Sequence, residues 1–317
     1  MADVVRAAEL AEHGEFRRYL IGVAYRLLGS VADAEDVVQE ALARWYQEDK
    51  TKINNSRGWL TVVVSRIALD QLRSARRRRE EYVGPWLPEP IVETAGDTVD
   101  PAEKVIFEES VHMAMLVVLE SLSPAERAVF VLREVFNLPY EQVAKVVGRS
   151  RVACRQLDVR ARRYVRSKVS RFEPDQHAQK VASTAFRAAC ASGDLVSLIQ
   201  VLDHDVVVHT DGGGVVTAAR RPIVGAERVA NYLLRVLRKW PVTLRPATVN
   251  GTAGIVAECK GKTVAVASLA VAQGRIAQLD LVVNPDKFRT AAPNPDGTPT
   301  VTALRAPNSA PELSEVR

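Results

Sequence analysis

The chain has 317 residues, 47% of them hydrophobic, and carries 43 Lys and Arg against 38 Asp and Glu, a formal net charge of +5. That length suits two or three globular domains, and the mild basic excess permits a polyanionic partner without requiring one. Three cysteines far apart in sequence (Cys154, Cys190, Cys259), an N-terminus with early charges, and no apolar run near the ~20 residues of a membrane helix argue against a disulfide scaffold, a zinc site, a signal peptide and a membrane partner. The expectation is a cytoplasmic protein.

In chain order, residues 1–80 read as helices. "AYRLLGSVADAEDVVQEALARWY" repeats apolar residues at three- and four-residue spacing, with Asp33 as the expected N-cap. Trp45 and Trp59, at helical spacing among Leu42, Leu60 and Val63, read as core. Residues 81–103 change character: Gly84, Pro85, Pro88, Pro90, Gly96 and Pro101 break any regular element, so this segment reads as a linker. Seven acids and no base lie between Glu80 and Glu103.

Residues 104–173 form a second helical block. Within it, "LPYEQVAKVVG" predicts a short helix starting at Pro139 and ending at Gly148, with the small Ala144 where two helices cross. A second helix begins near Ser150, giving a helix-turn-helix with its recognition helix from Arg151. From Arg149 to Arg171 there are nine basic residues against one acid, Asp158, more than the excess of the whole chain. Cys154, Leu157, Ala161 and Tyr164/Val165 make the inward stripe, leaving Arg151, Arg155, Arg162 and Arg166 outward. Arginine matches guanine and glutamine matches adenine in the major groove. Arg151, Arg155 and Gln156 are therefore candidates for base edges, and Arg149, Ser150 and Arg160 for phosphates.

Residues 174–290 begin with a helix and continue as alternating segments, "DVVVHT", "PVTLRPATV", "GIVAEC", "KTVAVASLAVA" and "GRIAQLDLVV", with an amphipathic helix over 225–240. This predicts a mixed α+β domain. His204, Asp205, His209, Asp211 and Asp280 are candidates there for an acid–base pair. Residues 291–317, rich in Pro, Asn, Ser and Thr, read as a disordered tail.

"DAEDVVQEALARWYQED" holds six acids and one base, and "RGWLTVVVSRIALDQLRSARRRR" follows with a basic end. Opposite charges on adjacent helices suit two different partners. "DAEDVVQEALARW", then "WL…RIALDQLRS", then "SLSPAERAVFVLREVFNLPYEQVAKVVG" resemble, in order, regions 2 and 4 of bacterial RNA polymerase sigma factors of the extracytoplasmic-function type. "WLPEP", "DGGG" and "NPDKF" resemble the subgroup with a C-terminal SnoaL-like domain.

That resemblance implies a multidomain fold: two all-α sigma domains (a region 2 bundle and a region 4 helix-turn-helix) plus an α+β SnoaL/NTF2-like cone. It implies no enzyme activity and no cofactor. Core RNA polymerase, through its β′ subunit, would be met by Asp36, Gln39 and Glu40. Promoter DNA would be met at the −10 element by Asn54, Asn55, Arg66 and Arg73, and at the −35 element by the recognition helix. The acidic linker is expected as an extended anion in the polymerase channel that RNA later takes. Trp86, Leu87, Asp211, Gly212, Gly213, Asn284 and Asp286 are expected to make regulatory contacts, and the SnoaL-like domain to accept a small ligand of unknown identity. The chain departs from the pattern at Arg66, where many relatives have Asn, and at Val215, where Lys is expected. The alternative is a one-component transcriptional regulator with a ligand-binding domain, which leaves the acidic helix and linker unused. A third reading is an isomerase or cyclase with an appended DNA-binding module.

Overall fold

The computed structural model describes residues 14–80, 82–93, 112–169, 172 and 175–288, without the side chains of 15, 50 and 75–80. The expectations for 94–103 and for the 291–317 tail lie outside these residues. The first block is α1 (Glu15–Leu28), α2 (Val31–Gln47) and α3 (Ser56–Glu80). Gly29 ends α1 in the left-handed conformation, and the Ser30 hydroxyl accepts from the Asp33 amide at the start of α2. The N-cap is therefore Ser30, not Asp33. Asp33 sits in the first turn, where its charge favours the helix dipole.

The second block is α4 (Met113–Glu120), α5 (Pro124–Phe130), which runs into a π-helical turn over Val131–Val135, then α6 (Tyr140–Val147) and α7 (Arg151–Val169). A capping box between Ser123 and Glu126 starts α5. Pro139 caps α6 and Gly148, with φ of 70°, closes it. The two blocks share one hydrophobic core, which runs from Phe16 through Leu60 and Leu116 to Val165. Trp45 is fully buried in it and packs on Trp59 at 5.4 Å. Arg127, also buried, has its charge compensated by Glu120 within the second block and donates across the seam to the Arg26 carbonyl.

The C-terminal domain holds α8 (Gln176–Ser192), α9 (Leu195–Val201), β2 (Leu202–Asp211), β3 (Ile223–Val224), α10 (Ala226–Lys239), β4 (Thr243–Val249), β5 (Thr252–Cys259), β6 (Lys262–Ala272) and β7 (Arg275–Val282). A two-residue strand from the linker, β1 (Val92–Glu93), completes the sheet in the order β1-β4-β5-β6-β7-β2-β3. Only the β2–β7 pair is parallel among these. Strand alternation sorts the two faces. Val208, Leu269 and Leu279 join Phe186, Leu233 and Leu234 in the core beneath the helices. Val249, Val256 and Val266 lie on the other face, and there the linker's Val92 and the C-terminal Phe288 cover them. The sheet thus has its own helices on one side, while the other meets Phe288 and α4 of the second block, with the linker added as an edge strand.

Candidate nucleic-acid and linker interfaces

The helix-turn-helix presents α7 outward. Ser150 caps it by accepting from the Ala153 amide, and Arg149, Arg151, Arg155, Gln156 and Arg160 are all exposed. Two of these are steered by neighbours. Arg155 lies over the Tyr140 ring at 5.4 Å, and Arg160 pairs with Glu126 at 3.2 Å. Arg162 turns sideways instead, pairing with the buried Asp158 at 3.0 Å, so it is an anchor of the helix rather than part of its outer face. Cys154, Leu157, Ala161 and Val165 are buried as the stripe required, whereas Tyr164 is 37% exposed.

In the first block, α2 turns Asp36, Gln39 and Glu40 to solvent on one face, and its opposite face buries Val37, Val38 and Ala41. An acidic surface of this kind complements a basic protein patch. Asn54 and Asn55 are exposed before α3, and Asn55 caps that helix by accepting from the Gly58 amide at 2.8 Å. Asn55, Arg57 and Gly58 line a cavity of about 360 Å³ with Phe16, Tyr19 and Gln142. Arg73 is exposed beside Asp70. Arg66 is engaged elsewhere: its guanidinium donates twice, at 3.1 and 2.8 Å, to the Lys145 carbonyl in α6. One residue assigned to the −10 element therefore holds the helix-turn-helix.

The linker is the third surface, and it is clasped from both sides. Asp211, at the end of β2 and fully buried, accepts from the Tyr82 hydroxyl at 2.6 Å, the Leu87 amide at 2.8 Å and the Gly213 amide at 3.0 Å. Lys287 balances that carboxylate at 2.7 Å, donates to the Leu87 carbonyl, and lies over the Trp86 ring at 4.1 Å. Burial, then the hydrogen bond to Asp211, pushes the Tyr82 phenol well above its ordinary pKa. Asn284 donates to Tyr82 and accepts from the Asp286 amide, while the Asp286 side chain is exposed. In NPDKF the polar contacts to the linker thus come from Asn284 and Lys287. Gly213 has φ of +64°, and a Cβ there would lie 2.4 Å from the Asn284 amide nitrogen, so both backbone and space require glycine. Gly212 has no more room, its Cβ meeting the Val216 carbonyl at 2.2 Å.

On its other side the linker meets the first block. The Trp86 ring seats on Gly29, where a Cβ would come within 2.7 Å of it. Glu89 is buried: its amide donates to the Gly29 carbonyl and its carboxylate accepts from the Val31 amide at 2.8 Å. Tyr25 donates to the Glu89 carbonyl and accepts from Asn250, both at 2.7 Å. Asn250, in the β4–β5 turn, also exchanges hydrogen bonds with Ile91. First block, linker and C-terminal domain therefore converge on Tyr25, which burial holds well above the ordinary phenol pKa.

The five acid–base candidates of the C-terminal domain do not form one cluster, although two pairs among them meet. His204 and Asp205 are exposed, and Asp211 holds the linker. His209 and Asp280 pair at 2.8 Å, but strand alternation puts them on the sheet face away from the helix-covered core. Tyr82, Tyr25, Glu89, Asn250 and Lys287 were not singled out from sequence. The one signal for Lys287 is its position inside NPDKF.

Residues 14–78 match the family model of sigma-70 region 2, and residues 112–165 that of sigma-70 region 4. Over 293 residues the chain is 40% identical to the ECF RNA polymerase sigma factor SigJ of Mycobacterium tuberculosis, spanning 88% of this chain and 93% of that one. A second relative from that organism, described as a probable ECF RNA polymerase sigma factor SigI, is 38% identical over 274 residues, 85% of this chain and 91% of its own. The crystal structure of the M. tuberculosis extracytoplasmic function sigma factor SigJ superposes with a TM-score of 0.74 and 37% identity, over 90% of this chain and 99% of that one. Two helical DNA-reading blocks with these matches define a transcription initiation factor, not an enzyme. The chain belongs to the extracytoplasmic-function RNA polymerase sigma factors, and its C-terminal domain has the SnoaL/NTF2-like build.

Proposed function

We propose that this sigma factor is controlled by its own SnoaL-like domain, which grips the linker and so holds the two promoter-reading blocks together. The observation that carries the proposal is the double clasp on residues 82–93: Asp211 and Lys287 on one side, Gly29, Val31 and Tyr25 on the other. Leu87 is buried, and covering such a side chain contributes roughly 1.5–3 kcal/mol. A segment held this firmly sets how far the blocks can move apart. The −10 and −35 elements are separate stretches of DNA, while here α3 packs on α6 and Arg66 is spent on that contact.

In the same reading the exposed acids Asp36 and Glu40, with Gln39, dock on the β′ subunit of core polymerase. Asn54, Asn55, Arg66 and Arg73 meet the −10 element once Arg66 is released, and α7 reads the −35 element. The linker, freed from its clasp, takes the extended path in the RNA channel. Control by contact needs no catalysis, in keeping with the dispersal of the five acid–base candidates. A small ligand of the SnoaL-like domain would act by changing the grip on the linker.

Run-off transcription with core polymerase tests this directly. Trp86→Ala and Asp211→Ala should each change transcript yield, and the double variant should differ from their product, since both act through one clasp. Strictly multiplicative effects, or unchanged transcription from every variant, would remove the regulatory role.

A further inference from the structure

The outer face of α7 carries a feature that its arginines leave unexplained. The buried residues Cys154, Leu157, Ala161 and Val165 fix the inward direction of the helix. At 100° per residue, the opposite direction passes through Val152, Gln156, Val159 and Arg163, with Arg155 and Arg160 to either side. Val152 is 64% exposed and Val159 49% exposed. The centre line of the most basic helix in the chain is thus half apolar.

An exposed valine is an unfavourable choice for a helix. Its β-branched side chain loses χ1 freedom against the preceding turn, and exposure gives nothing back. Val152 also stands on the first turn, directly after the Ser150 cap, where a recognition helix approaches base edges most closely. It has no donor or acceptor. The feature of a major-groove base edge that complements such a side chain is the C5 methyl of thymine.

We infer that Val152 is a specificity-determining residue that packs against the C5 methyl of a thymine in the −35 element, beside the base read by Gln156. The inference rests on the assignment of α7 to the −35 element and adds to it a position where hydrogen bonds play no part. Val152→Ala raises helix propensity and removes no contact within the protein core, so the variant keeps its fold.

The test uses holoenzyme, made from core polymerase and the full chain, to select duplexes from a library randomised across the −35 region. In the selected duplex each −35 thymine is replaced singly by uracil, which lacks only the methyl group. Wild type should lose about fourfold in affinity at one of these positions, the effect of uncovering one methyl group. Val152→Ala should bind the thymine duplex about fourfold more weakly than wild type and should no longer distinguish thymine from uracil there. A selected element without thymine, no uracil effect at any position, or discrimination retained by Val152→Ala overturns the inference while α7 still reads the −35 element. Selection of no preferred sequence would instead overturn that assignment, and the inference with it.

Discussion

Asp211 and Leu87, 124 positions apart in sequence, meet through a 2.8 Å hydrogen bond from the Leu87 amide to the buried carboxylate. Lys287 is the counter-ion, and it too is largely buried. Removing one partner of a buried ion pair leaves the other uncompensated and costs roughly 3–5 kcal/mol. Asp211→Ala should therefore destabilise the docked linker by about that amount. Urea unfolding read at Trp86 fluorescence, with Trp45, Trp59 and Trp240 replaced by phenylalanine in both backgrounds, should show the loss, and an unchanged midpoint would mean that Asp211 does not hold the linker.

The acidic face of α2 stays open while the DNA-reading blocks are packed together. Reversing Asp36 and Glu40 to lysine should reduce association with core polymerase by more than tenfold, because both sites turn attraction into repulsion. Sequence-specific binding of −35 duplex should be unaffected. Pull-down of polymerase checks the first outcome and fluorescence anisotropy the second.

Arg155 and Arg163 both lie exposed on α7, in different roles. Arg155→Ala should cost about 1–3 kcal/mol on the preferred −35 sequence and relax preference at one base. Arg163→Ala should cost less, should act on all sequences alike, and should lower the salt dependence of binding. Competition binding against single-base variants separates the two.

His112 precedes α4, and its Nδ1 is buried with no hydrogen-bond partner among the described residues. Burial holds its pKa below the ordinary 6.5. The unfolded chain therefore binds this proton at a higher pH than the folded chain does. The contribution of neutral His112 is fully present above about pH 6.5 and is lost as pH falls below it. Thermal unfolding between pH 7.5 and 5 should show this loss, and His112→Leu should flatten that part of the profile.

Much of the architecture could be read from the sequence because it rests on local rules. The glycine at 148 and the serine at 150 bound the turn of the helix-turn-helix, and the alternation in 262–272 gives β6 over that same range. Asp33 misled because Ser30, three residues earlier, makes the better cap and Asp33 serves the dipole instead. The linker's partners were hidden for a different reason. Tyr25, Glu89 and Asn250 lie in three separate segments, and nothing local in any one of them says that they share a hydrogen-bond network. Arg66 shows the same limit: its charge is legible, but its carbonyl partner 79 residues away is not.

If the clasp on the linker keeps the two blocks in one core, its release separates them. The most direct measurement is the distance between fluorophores at Thr51→Cys and Ser167→Cys, both exposed, with Cys259 replaced by serine and Cys154 and Cys190 left buried. Single-molecule energy transfer should give one short distance in the free protein, a second and longer population in Asp211→Ala, and the long distance alone once core polymerase is bound. A single short distance that persists in Asp211→Ala and in the holoenzyme would mean that the clasp does not govern the spacing of the blocks.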